Sequence, residues 1–102
     1  SSMRYATAGE PVFWVQLGSY PSPEQASRVW DGLKAAHTDI LGRLQPDVYS
    51  PLLSSAPHSI FRLRTGPYVN RGLANEVCSK LQWRGVDCLI VRNTPGRRRP
   101  RT

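Results

Sequence analysis

The chain has 102 residues, room for one domain with a modest core but not for two domains or a deep catalytic cleft. Hydrophobic residues make up 39% and charged residues 21%, which excludes wholesale disorder. The formal net charge of +7 would point to a polyanion partner, but Arg97, Arg98, Arg99 and Arg101 crowd a Pro/Gly-rich end and Arg4 precedes the first patterned segment. Between Glu10 and Arg92 nine basic residues face seven acidic ones, so the patterned part is nearly neutral.

Residues 1–10 read as a linker in which Ser1-Ser2-Met3 has the look of an expression remnant. Residues 11–93 read as the folded domain, and residues 94–102 as a disordered basic tail. No stretch is long enough to span a membrane and no signal peptide is visible, so the chain reads as an excised domain whose anchor would lie outside it.

In chain order, the first strand shows the alternation of a sheet: Val15 and Leu17 point one way, Trp14 and Gln16 the other. A helix follows. Ser22 is placed to cap it, Pro23 suits its first position and Gln25 completes a capping box; Ala26, Val29, Trp30 and Leu33 then recur at helical spacing. Trp30 reads as core. The segment from Ala36 to Ser59 is Pro-rich and holds one β-like run, Asp47 to Leu53, read as a second strand with long flanking loops. Ile40, Leu41 and Leu44 extend the helix or cover one end of the core.

In the third strand Phe61, Leu63 and Thr65 share one face, and Ile60, Arg62 and Arg64 the other. The second long helix starts at Asn70, buries Ala74, Val77, Cys78 and Leu81, and stops at Gly85. Asp87 to Arg92 forms a last short strand. A shift of 48 positions lays Val15–Tyr20 on Leu63–Tyr68 and matches Gly18 with Gly66, Tyr20 with Tyr68, Ala26 with Ala74 and Leu33 with Leu81. The symmetry of the two tyrosines argues for packing, and the two glycines permit a turn or a close approach.

The order βα–ββα–β predicts an α+β, ferredoxin-like sandwich. Its four-stranded sheet has the order 4-1-3-2, strands 1 and 3 are parallel at the centre, and both helices lie on one face. The other face, carrying Trp14, Gln16, Ile60, Arg62 and Arg64, is left as a binding platform. Gln16 offers donors and an acceptor, the guanidinium groups offer planar forks, and Trp14 offers a flat ring. Either a sugar chain or a nucleic acid suits such a surface.

The segments VQLGSY and FRLRTGPY, each opening onto a helix, resemble the two signatures of the sporulation-related repeat (SPOR) domain over Phe13 to Arg92. The resemblance implies a non-catalytic module that binds peptidoglycan glycan strands lacking stem peptides. It would target a larger envelope protein, membrane-anchored or secreted, to division or remodelling sites in the periplasm of a bacterium. Residue by residue it implies ligand contacts at Gln16, Ser19 and Arg62. Ile60 stands where the family often has Trp, and Leu89 matches an apolar contact of the last strand. Trp14 and Arg64 join the site from their place on the open face.

An RNA-recognition-like module shares the strand order, but it wants interleaved aromatics on strand 3, where this chain reads Ile60-Phe-Arg-Leu-Arg-Thr65. A hydrolase needs a nucleophile with a base in reach; His37 and His58 both fall in the irregular insert, and no carboxylate pair stands out. A protein-interaction adaptor needs an apolar patch, which Gln16, Arg62 and Arg64 interrupt. No metal site, cofactor or nucleic-acid partner is expected, and the domain should be monomeric. Cys78 and Cys88 lie across a tight helix-to-strand connection, where a disulfide is geometrically reasonable; the alternative is two buried thiols.

Overall fold

The computed structural model describes residues 11–50 and 60–93. Its elements run β1 (Val12–Tyr20), α1 (Pro23–Ala36), α2 (Thr38–Leu41), β2 (Pro46–Tyr49), β3 (Phe61–Tyr68), α3 (Arg71–Trp83) and β4 (Leu89–Asn93). The strands form one sheet in the order β2-β3-β1-β4, which is the expected 4-1-3-2 read from the other edge. The tail, the linker, His58 and the far half of the Asp47–Leu53 run lie outside the described residues.

One expectation is corrected. β1 and β3 are antiparallel, as are the other two pairs. The crossover through α1 returns β2 in the direction of β1, and β3 then runs opposite to its neighbour β2. The central pair must therefore be antiparallel in this topology.

The helices start where their caps dictate. The Gln25 amide donates to Ser22 Oγ at 3.1 Å with Pro23 opening α1, and the Leu73 amide donates to Asn70 Oδ1 at 2.9 Å to open α3. Gly85, at φ +82°, follows the end of α3 in the left-handed region that glycine adopts without penalty. Both helices cover one sheet face. Ala26, Trp30, Leu41, Leu63 and Leu81 form one buried cluster, and Val15, Ala74 and Cys78 a second beside it. Ile40 and Leu44 pack on the first cluster around Leu41 of α2, so this short helix seals one end of the core. Thr65 is buried among these apolar groups, and its hydroxyl donates to the Gln45 carbonyl at 2.8 Å.

The repeated Gly-x-Tyr has a packing cause. In a strand, residues two apart share a face, so each tyrosine ring lies over the glycine before it. A Cβ at Gly18 would sit 2.9 Å from Tyr20 Cζ. One at Gly66, whose φ is +145°, would sit 3.1 Å from the Phe13 carbonyl oxygen and 3.4 Å from Tyr68 Cδ2. Tyr20 packs on the first core cluster and Tyr68 on the second, where burial pushes its phenol pKa up.

The Cys78 and Cys88 sulfurs are bonded, with their Cα atoms 5.8 Å apart. The bridge ties α3 to the chain entering β4 and, over so short a loop, stabilises by about 2–3 kcal/mol.

Candidate functional site

The sheet face opposite the helices is defined by register. Directly paired residues of antiparallel strands project to the same side. Gln16 of β1 pairs with Arg64 of β3 and with Leu89 of β4, Ser19 pairs with Arg62, and Trp14 pairs with Val91. On the outer strand Asp47 pairs with Arg64 and Tyr49 with Arg62. The pairings slip between Phe13 and Val15 and between Gln16 and Gly18. The second irregularity keeps Gln16 and Ser19 on the same face although they are three residues apart.

A shallow depression of about 200 Å³ lies here, lined by Gln16, Tyr49, Arg62, Arg64, Val91, Arg92 and Asn93. The register thus brings together Gln16, Ser19, Arg62, Arg64, Trp14 and Leu89. Leu89 is 59% exposed and so is accessible from this face. Ile60 immediately precedes β3 and is half-buried.

Arg64 is held differently from Arg62. It is only 8% exposed, with its guanidinium carbon 3.9 Å from the centre of the Trp14 ring on one side and 4.2 Å from that of Tyr49 on the other. Its Nε donates to Asp47 Oδ2 at 2.8 Å. A buried guanidinium needs such partners, because burying an unpaired charge costs several kcal/mol. Among the described residues Arg62 makes no ion pair, and neither Arg62 Nε nor Trp14 Nε1 has a hydrogen-bond acceptor. Both of these atoms are themselves buried, so they lie beneath the face and are not presented at its surface.

A larger concavity, about 290 Å³, lies on the helix layer against α3, lined by Ser79, Gln82 and the exposed Trp83. It presents one ring and no charged group among the described residues, whereas the open face converges amide, guanidinium and aromatic groups from four strands. No group of three or more potential metal ligands occurs among the described residues.

The SPOR domain profile matches residues 9–92. The chain belongs to the SPOR domain family. No curated protein matches it. Its fold is similar to the solution structure of the peptidoglycan binding domain of the B. subtilis cell wall lytic enzyme CwlC, with a TM-score of 0.58 and 13% identity over 87% of this chain and 98% of that one. It is also similar to the crystal structure of the RlpA SPOR domain from Pseudomonas aeruginosa, with a TM-score of 0.55 and 17% identity over 79% of this chain and 99% of that one.

Within this SPOR domain the sequence reading missed Val91, Arg92 and Asn93 of β4, which line the depression, and Asp47 and Tyr49 of β2. The signal for the β2 pair was present: Asp47-Val48-Tyr49 alternates, and Val48 packs on the core. Strand pairing is what turns that alternation into a position beside Arg62 and Arg64.

Proposed function

We propose that the open sheet face binds peptidoglycan glycan strands, preferring strands that lack stem peptides. In this way it targets a larger envelope protein to sites of cell-wall remodelling or division. The observation that supports this most is the meeting of Gln16, Ser19 and Arg62 on the helix-free face, among the described residues, of a SPOR-family sheet. Gln16 can both donate to and accept from N-acetyl and hydroxyl groups, Ser19 is exposed to do the same, and Arg62 donates to carbonyl or carboxylate oxygens. Leu89, Ile60 and Trp14 supply apolar contact. The depression is small, about 200 Å³, and leaves little room for peptides projecting from the glycan, so bare strands fit best.

The module's part is binding, not catalysis. Its place is the cell envelope, in the periplasm, where the Cys78–Cys88 bridge suits an oxidising compartment. The test is co-sedimentation with sacculi. The domain should pellet with amidase-treated sacculi and poorly with untreated ones. Gln16→Ala and Arg62→Ala should each weaken pelleting by about 5- to 30-fold, as expected for one or two lost hydrogen bonds. Equal pelleting with both kinds of sacculi would refute the preference, and salt-sensitive RNA binding in place of glycan binding would refute the reading as a whole.

A further inference from the structure

We propose that Tyr49 is the sugar-stacking platform of this face, and that Arg64 is a positioning residue that holds the ring in place and does not itself bind the glycan. This rests on the glycan-binding reading and assigns residues within it. Ile60 stands where a stacking ring would be expected in the family signature, so the flat surface must come from elsewhere on the sheet. Two rings are available. Trp14 is half-buried, packed against Arg64, with its indole nitrogen beneath the surface. Tyr49 keeps 40% of its surface exposed and lines the depression with Gln16 and Arg62. It is thus the ring a pyranose C–H face can reach while its hydroxyl and N-acetyl groups meet the amide and the guanidinium.

Tyr49 lies on the last residue of a four-residue edge strand, where backbone pairing alone leaves a side chain poorly fixed. Arg64 supplies the restraint. Its guanidinium stacks between Tyr49 and Trp14, and its link to Asp47 ties it to the same strand two residues earlier. With two rings packed against its guanidinium, Nε engaged and 8% of the residue exposed, Arg64 has little left to offer a ligand.

The experiment is binding of the folded domain to amidase-treated sacculi, with circular dichroism confirming the fold of each variant. Tyr49→Ala should weaken binding by about tenfold, and Tyr49→Phe, which keeps the ring, should restore most of that loss. Arg64→Ala should weaken binding comparably, and the Tyr49→Ala/Arg64→Ala double variant should be no weaker than Tyr49→Ala alone, because Arg64 acts through the ring. Unchanged binding by Tyr49→Ala would overturn the assignment while leaving glycan binding intact, and additive losses would overturn the positioning role of Arg64. Failure of the unmodified domain to bind would sink the parent reading and this one together. Should Arg64→Ala fail to fold, the Tyr49→Ala and Tyr49→Phe pair still decides the stacking role.

Discussion

On the helix side of the sheet Val15 and Leu63 are completely buried, and the side chains there are held by shape against Ala26, Ala74 and Leu81. On the opposite side one of the buried residues is a charge. Arg64 is tolerated there only because two rings and a carboxylate surround it. The difference teaches how one thin sheet divides its labour. A core-facing residue contributes through volume, so its loss leaves a cavity. An open-facing residue contributes through directed contacts, so its loss should be felt by a ligand more than by the fold. Gln16 and Leu63 are near neighbours on adjacent strands yet belong to these separate regimes.

The sharpest way to break this comparison is a pair of variants from opposite faces. Leu63→Ala removes a fully buried side chain from the main cluster and should cost about 2–5 kcal/mol in denaturant unfolding. Gln16→Ala should cost less than about 0.5 kcal/mol in the same measurement. A similar loss in both would mean that the open face is structural.

A smaller effect should arise where the helix layer is joined across its surface. Arg84 makes two hydrogen bonds to the exposed Asp39 carboxylate, which lowers the Asp39 pKa from 3.8 to about 2. The folded state then binds fewer protons than the unfolded one. The stabilisation is complete above the unfolded pKa and is lost as pH falls through about 2. Asp39→Asn should therefore lie slightly below the parent in melting temperature at neutral pH and converge with it as pH falls from about 4 to 2. Molar salt should shrink the neutral-pH gap, because exposed pairs are screened. A gap that is undiminished at pH 2 would assign the effect to something other than this pair.

The sequence carried most of the fold. Alternation located Val15, Leu63 and Thr65 on the core side, and Ser22 and Asn70 marked the helix starts that the caps confirm. Strand direction was misread at the centre, because alternation says which face a residue takes but not which way its strand runs. The site was legible where it lay on β1 and β3, whose residues stand inside strong patterns. Tyr49 and Asp47 were missed because β2 is four residues long and set in a Pro-rich insert, so their role appears only through pairing with Arg62 and Arg64. The engagement of Arg64 was likewise invisible, since it depends on three side chains from two other strands.

The division between the faces is tested most directly by following backbone amide resonances while bare glycan fragments are titrated into the labelled domain. Shifts should concentrate at Gln16, Ser19, Tyr49, Arg62 and Leu89, with Ala26, Ala74 and Trp83 unmoved. Shifts centred on α3 around Ser79 and Trp83, with the β1 and β3 amides silent, would contradict the assignment of binding to the open face.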